Sequence, residues 1–225
     1  MKLFLFDLDG TLISTGGAGL RAIEQTFSER YSVSHVTQIV NPGGKTDPAI
    51  FREILQTYLS RSPRKGELEE IAETYLKFLH VEMQITPHLM VFPFVEEVLG
   101  YLSTQPEVSI GLGTGNLERG ARIKLEPTGL NPFFLFGGFG SDSEDRAELL
   151  RTGHRRAEGL RNDTIPSSQV FVVGDTLLDI QAARRAGFNA IAVATGSVSF
   201  DELQKGTPDY VFHDLSEGWE LIQSL

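Results

Sequence analysis

The chain has 225 residues, of which 40% are hydrophobic and 22% charged, so it can bury a full core and does not have a disordered composition. Its formal net charge of −10 argues against a nucleic-acid partner, and the absence of cysteine excludes disulfides, thiolate catalysis and cysteine-bound zinc. No stretch approaches the ~20 apolar residues that span a bilayer, and Asp7 interrupts the N-terminal apolar run too early for a signal peptide. We therefore expect a cytoplasmic protein that binds neither nucleic acid nor membrane.

Two carboxylates follow the first predicted strand, the apolar run at residues 3–6. Because a strand alternates faces with a period of two, Asp7 and Asp9 can point the same way as the chain leaves the sheet. Two like charges this close need a divalent cation or a shared proton. The alternative is an ordinary turn at Asp9 and Gly10, with Asp7 at a strand end.

The next segment, residues 16–88, has helical periodicity and no strand-like run. Its apolar residues recur at helical spacing in three groups, which are Leu20, Ile23, Phe27 and Tyr31, then Ile50, Ile54, Leu55 and Leu59, then Ile71, Tyr75, Leu76, Leu79 and Met83. This pattern predicts a small helical bundle. Lys45 lies in a turn-rich loop within it and is either a substrate contact or a surface lysine beside a helix cap.

Strand-like runs alternate with helical segments in the rest of the chain. The alternation resumes at residues 93–102 and continues through runs at 108–112, 133–138, 170–173, 190–194 and 210–212. Strands that are separated by helices imply a parallel sheet. We interpret the aromatic residues at 133–136 as a core strand rather than a binding site, because burial explains them without a ligand.

A second acidic pair follows the run at 170–173. Asp175 comes directly after that predicted strand, and Asp179 lies four residues on, in the first turns of a predicted helix that Gly187 ends. This spacing can place both carboxylates over one hard cation. Helix capping explains one of the two acids equally well.

Together these motifs resemble the haloacid dehalogenase superfamily of hydrolases. The D-x-D-G-T-L sequence from Asp7 is similar to the first motif of the family, and the G-D-x-x-x-D sequence around Asp175 to its fourth. Residues 110–116 are similar to the second motif, in which a strand ends at a phosphate-binding residue, here Thr114. The resemblance implies an α/β fold with a doubly wound, Rossmann-like parallel sheet, formed by residues 1–15 and 89–225. Residues 16–88 would form an inserted helical cap.

The resemblance also implies roles for the motif residues. Asp7 would attack phosphorus and form an aspartyl-phosphate, and Asp9 would act as the general acid and then the general base. Thr114 would bind phosphoryl oxygens. The implied substrate-binding residues are Thr114, Gly115, Asn116 and Lys45. The implied Mg²⁺ ligands are Asp7, the backbone carbonyl of Asp9, Asp175 and, mainly through water, Asp179.

The third motif departs from the family pattern, which has a lysine shortly before the fourth-motif strand. Residues 140–150 contain no lysine, and Arg146, at the start of a predicted helix, is the best substitute. An arginine is suitable because its planar fork fits phosphate oxygens. The alternative is an exposed Arg146 that pairs with Glu144 or Glu148. The rival cations for this role are Lys124, Arg151 and Arg155.

The sequence therefore predicts a Mg²⁺-dependent phosphatase that acts on a small phosphorylated metabolite as a monomer or homodimer. The chain is most similar to phosphoglycolate phosphatases and related sugar-phosphate phosphatases. Three alternatives stay open. A phosphosugar mutase would share the same core residues, and a haloalkanoic dehalogenase would need no metal and usually lacks the acid at Asp9. The third alternative, a catalytically silent binding protein, is supported only by the absence of a lysine from the third motif.

Overall fold

The computed structural model describes residues 1–38 and 40–225. The strands within these ranges are β1 (Lys2–Phe6), β2 (Ile13–Ser14), β3 (Met90–Val91), β4 (Val108–Thr114), β5 (Gly137–Phe139), β6 (Val170–Gly174), β7 (Asn189–Val193) and β8 (Tyr210–Phe212). The helices are α1 (Ala18–Tyr31), α2 (Asp47–Leu59), α3 (Glu67–Ile85), α4 (Val95–Thr104), α5 (Glu118–Leu125), α6 (Arg146–Arg161), α7 (Leu177–Ala186), α8 (Phe200–Lys205) and α9 (Trp219–Ser224).

Six of the strands form one parallel sheet in the order β5-β4-β1-β6-β7-β8. Strand β1 is central, and its Phe4 lies opposite Ile110 on one side and Phe171 on the other. The direction in which strands are added reverses at β1, so a crevice forms beyond the carboxyl ends of β1, β4 and β6. The α/β doubly wound parallel sheet is confirmed.

The sheet is buried on both faces, as a parallel sheet requires. Phe4 and Phe6 of β1 pack into the hydrophobic cluster on one face, whereas Leu3 and Leu5 pack into the cluster on the other. Alternate residues of β1 therefore serve two cores, which explains why the sequence of this strand is continuously apolar. Asp7 is the first residue after it and marks the end of the apolar environment.

Helices α1, α2 and α3 form a third hydrophobic cluster, centred on Phe27, Phe51 and Tyr75. The two short strands β2 and β3 pair antiparallel, with Ile13 opposite Val91, where the chain leaves the sheet region and returns to it. These three helices lie within residues 16–88. The division into a core of 1–15 and 89–225 and a cap of 16–88 stays a prediction.

A strand is present in the segment predicted at residues 133–138, but the predicted start at residue 133 is wrong. Asn131–Phe133 forms a 3₁₀ turn with Pro132 near its start, and the strand begins only at Gly137. Proline suits the first positions of such a turn because it lacks an N–H group and has a fixed φ angle. Phe134 is buried, but Leu135 is 82% exposed. These apolar side chains therefore belong to a loop, and the burial predicted for the whole run is incorrect.

Two glycines of α6 give a matched test of how closely this helix packs on β5. A Cβ at Gly153 would lie 2.9 Å from the backbone nitrogen of Gly138, whereas a Cβ at Gly159 would meet nothing within 4 Å. We expect Gly153→Ala to lower the free energy of unfolding by about 2 kcal/mol through overpacking. Gly159→Ala should raise it by about 1 kcal/mol through helix propensity. Chemical denaturation of both variants checks this, and equal effects would contradict the packing.

Candidate active site

Asp7 lies at the carboxyl end of the central strand, at the base of the crevice. Its backbone N–H donates to the carbonyl of Val173 at 2.8 Å, so β6 holds the chain in place just beyond β1. The side chain is buried. Gly10 then has a φ of +86°, and a Cβ there would collide with the Asp175 carboxylate. Both the left-handed backbone and the close approach require glycine at this turn.

Three buried carboxylates meet at this point. Oxygens of Asp7, Asp175 and Asp179 all lie within 4.8 Å of one another. Thr11 donates to Asp175 at 3.1 Å, and Thr176 donates through its hydroxyl to Asp179 at 2.6 Å in a capping box at the start of α7. The capping predicted as an alternative and the clustering of the acids therefore occur together.

Burial and mutual repulsion perturb the ionisation of these acids. Burial raises the pKa of Asp7 to about 6, with a further increase from Asp179 and an opposing decrease from Arg146. Burial, followed by the charges of Asp179 and Asp7, raises the pKa of Asp175 to about 8. Burying three carboxylates in their charged form is unfavourable. Their oxygens suit a hard divalent cation such as Mg²⁺, whose positive charge would lower the cost of burying them.

Arg146 is the cation of this acidic cluster. The side chain of Asp145 caps α6 by accepting from the N–H of Ala147 at 2.9 Å, and Arg146 is the first residue of the helix. Its guanidinium lies 3.3 Å from Asp7 Oδ2 and forms an ion pair with Asp179. The side chain is only 9% exposed, and its Nε has no hydrogen-bond partner among the described residues. One donor of the guanidinium is therefore buried without an acceptor among these residues.

The alternative in which Arg146 is a solvated surface residue is wrong. Glu144 pairs with Arg52, and Glu148 pairs with Arg151 and Arg155. The two rival arginines of α6 are thus occupied on the surface.

Lys124, a rival of Arg146 for the role of the third motif, is a second buried cation of the site. Its Nζ lies 2.6 Å from Asp9 Oδ2 and donates to Asn116 Oδ1 at 2.6 Å. Asn116 in turn donates to Asp9 at 2.9 Å and to the Thr114 hydroxyl at 2.8 Å. Lys124 therefore holds the second acid of the first motif. Lys124 lies three residues after the buried Ala121, and this helical spacing predicts that both residues lie on the same, inward face of α5.

The loop that contains Lys45 lies directly on the loop after β4. A Cβ at Gly115 would collide with the backbone carbonyl of Lys45, so glycine permits the approach. The N–H of Asp47 donates to the carbonyl of Gly115 at 2.8 Å, and its carboxylate accepts from the N–H of Leu117 at 2.8 Å. Thr46 caps α2, and Asp47 joins the two segments.

A cavity of about 410 Å³ extends from the strand ends to helices α1–α3. The predicted site residues that line it are Asp7, Asp9, Lys45, Thr114, Gly115, Asn116, Arg146 and Asp175. Asp179 is the exception, because it lies behind Asp7 against Arg146 and Thr176. The structure thus brings the predicted residues together, and their chemical roles stay predictions. None of the described helices is long and apolar enough to cross a membrane.

The sequence of this chain identifies its family. Residues 4–193 match the model of the haloacid dehalogenase-like hydrolases, and the chain belongs to this family of enzymes. The resemblance noted from the motifs is confirmed.

Individual relatives and structures extend the comparison over the whole chain. The chain is 28% identical to a phosphoglycolate phosphatase of Pseudomonas savastanoi pv. phaseolicola over 220 residues, which cover 95% of this chain and 77% of that protein. It is 24% identical to the pyrophosphatase PpaX of Oceanobacillus iheyensis, with coverages of 96% and 94%. A hydrolase from Pseudomonas syringae, 18% identical, superposes with a TM-score of 0.76 over 100% of this chain and 99% of its own, which shows a shared fold.

The buried carboxylate of Asp47 should make stability depend on pH. Burial raises its pKa from 3.8 to about 6, and the charge of Lys124 opposes this increase. The folded state therefore favours the protonated acid, and the stability that this contributes is lost as pH rises through that window. Asp47→Asn keeps an acceptor for Leu117 and removes the charge. Relative to the wild type, its free energy of unfolding should rise by on the order of 2–3 kcal/mol between about pH 4 and about pH 8. A difference that is independent of pH would contradict this account.

Proposed function

We propose that the chain is a Mg²⁺-dependent phosphatase that hydrolyses a small phosphorylated metabolite, of the phosphoglycolate or sugar phosphate type, through an aspartyl-phosphate on Asp7. The observation that carries the proposal is the buried contact of Asp7 with Arg146, beside two further carboxylates and an open cavity. This arrangement offers a nucleophile together with groups that can neutralise a phosphate. Relatives named phosphoglycolate phosphatase and pyrophosphatase support it.

In the first step, a carboxylate oxygen of Asp7 attacks phosphorus and the bond from phosphorus to the leaving oxygen breaks. The guanidinium of Arg146 and the hydroxyl of Thr114, which both line the cavity, would bind phosphoryl oxygens, whose negative charge must be stabilised as the group transfers. Arg146 is suited to this because it is fixed by Asp179 before any substrate arrives. The reaction thereby becomes two displacements of lower barrier.

Asp9 would move the proton in both steps. It would protonate the leaving oxygen in the first step and take a proton from the attacking water in the second. Lys124 and Asn116 hold one oxygen of this carboxylate at 2.6 Å and 2.9 Å, so the group has a fixed position at the edge of the cavity. The second step releases inorganic phosphate and restores Asp7.

The metal would be held by Asp7, Asp175 and the backbone carbonyl of Asp9, with Asp179 acting mainly through water. When bound, Mg²⁺ supplies positive charge to the carboxylates and to the phosphoryl oxygens. Helices α1–α3 cover the opposite end of the cavity, where they would limit the access of bulk water and contact the leaving group.

We expect Asp7→Asn to lower kcat by at least about a thousandfold, because an amide is a poor nucleophile and a poor ligand for the cation. The unfolding curve should be retained, since the two side chains have the same shape. Release of phosphate from p-nitrophenyl phosphate checks this, with the exposed Asp163→Asn as the control.

EDTA should also remove activity and Mg²⁺ restore it. Full turnover of Asp7→Asn, or full release of phosphate in EDTA, would contradict the proposal.

Substitution of Arg146 and substitution of Lys124 should produce different kinetic defects, because Arg146 contacts Asp7 whereas Lys124 holds Asp9. Arg146→Ala should lower kcat by about a hundredfold on every ester, and Arg146→Lys should recover part of it. Lys124→Ala should affect alkyl esters more than p-nitrophenyl phosphate, whose leaving group needs little help from a general acid. Arg151→Ala, on the same helix but outside the cavity, serves as the control. An active Arg146→Ala beside a Lys124→Ala that fails on p-nitrophenyl phosphate would reverse the assignment.

A further inference from the structure

The end of the cavity opposite Asp7, called here the cap end, has an apolar wall. Leu20 and Ile23 of α1 and Ile50 of α2 line it, together with the ring of Tyr75 from α3. The ring of Tyr75 packs edge-on against Phe51, with centroids 5.4 Å apart, so its position is fixed by the core of the helical segment. A leaving group attached to the phosphate at Asp7 would lie against these side chains.

Every cation that lines the cavity, among the residues described, already has an anionic partner. Arg146 pairs with Asp7 and Asp179, and Lys124 pairs with Asp9. Lys45 is the remaining one, and its Nζ lies 2.5 Å from Glu53. A second anionic group on a substrate would therefore have to compete with a protein carboxylate for each of them.

The cap end carries negative charge of its own. The buried carboxylate of Asp47 lines the cavity and accepts one hydrogen bond, from the N–H of Leu117. In the described part of the chain it has no ion-pair partner within 4.0 Å, and the nearby charge of Lys124, which favours its ionised form, is shared with Asp9. Because the site is partly closed and of low dielectric, the charge of Asp47 would repel an anionic leaving group.

The hydroxyl of Tyr75 is an open hydrogen-bonding group at the cap end. Tyr75 is 1% exposed, it lines the cavity, and within residues 1–38 and 40–225 its hydroxyl has no hydrogen-bond partner. The hydroxyl lies 3.7 Å from the position that a Cβ on Gly19 would occupy, and Lys124 Nζ lies 3.4 Å from the same point. The free hydroxyl and Lys124 Nζ therefore both approach Gly19, on the side of the cavity where Lys124 holds Asp9 and the leaving oxygen would depart.

We propose that the cap end selects phosphate monoesters whose leaving group is uncharged and carries hydroxyl groups, with the Tyr75 hydroxyl as its hydrogen-bond partner. The apolar wall would pack against the carbon skeleton. Esters that carry a second anionic group, such as a carboxylate or another phosphate, are disfavoured. This inference rests on the proposed function and narrows it from the phosphoglycolate type to the sugar-phosphate type.

A matched pair of substrates tests the inference. Glycerol 3-phosphate and 3-phosphoglycerate differ by the exchange of a hydroxymethyl group for a carboxylate. With Mg²⁺ present, kcat/KM should favour glycerol 3-phosphate by at least about tenfold, because like charges in a partly closed site repel. Equal values, or a preference for 3-phosphoglycerate, would overturn the inference. Hydrolysis of methyl phosphate reports separately on the proposed function, because this ester carries neither group.

Two variants test which residues cause the selection between the two esters. Glu53→Gln frees Lys45 and should raise kcat/KM for 3-phosphoglycerate by about two- to fivefold relative to glycerol 3-phosphate, since a half-exposed ion pair is weak. The exposed Glu69→Gln is the matched control and should leave this ratio unchanged. Tyr75→Phe should lower kcat/KM for glycerol 3-phosphate by about fivefold, the value of one hydrogen bond, and spare methyl phosphate. A Tyr75→Phe variant that loses both activities equally would contradict the assigned contact.

Binding gives a measurement that does not depend on turnover. The Asp7→Asn protein can be titrated with each ester in a calorimeter in the presence of Mg²⁺. It should bind glycerol 3-phosphate more tightly than 3-phosphoglycerate, and equal affinities would overturn the inference. If selective binding is seen but the wild-type enzyme releases no phosphate from any ester, the proposed function fails and the selectivity of the cap end stands.

Discussion

The structure of the site depends on the buried contact of one guanidinium with two carboxylates. Asp7, Asp175 and Asp179 converge because the order of the sheet brings the ends of β1 and β6 side by side. Burying three such acids without compensation is unfavourable, and removing the cation of a buried pair typically costs about 3–5 kcal/mol. Arg146 offsets part of that cost from the first turn of α6. The position of this helix is therefore coupled to the geometry of the nucleophile that we propose.

A second cation serves the other acid of the first motif. Lys124 and Asn116 hold Asp9, while Arg146 contacts Asp7, so each carboxylate has its own positive or polar partner. This separation suits the two tasks that the proposal assigns, which are nucleophilic attack and proton transfer. It also explains how the site keeps two like-charged acids close together, in addition to any neutralisation by a metal.

The sequence predicted the sheet well because a parallel sheet buried on both faces leaves a simple pattern. The apolar runs of β1 and β6 are short, continuous and followed by polar residues, and the structure places both runs in the sheet. The prediction of a core strand for the aromatic run at 133–136 failed because a 3₁₀ turn holds part of this run in a loop. Asp47 and Tyr75 were not predicted as site residues. Their place in the cavity depends on how the inserted helices dock over the strand ends, and local spacing does not encode that contact.

The most direct test of the account is to identify the atom that receives the phosphoryl group. Enzyme in excess over p-nitrophenyl phosphate is quenched in acid during a single turnover, digested and analysed by mass spectrometry. The account predicts a phosphoryl group on the peptide that contains Asp7, and borohydride should convert that aspartyl-phosphate to an alcohol at the same residue. Phosphate release at the full rate with an unmodified Asp7 peptide at every time point, or a phosphoryl group on another residue, would contradict it.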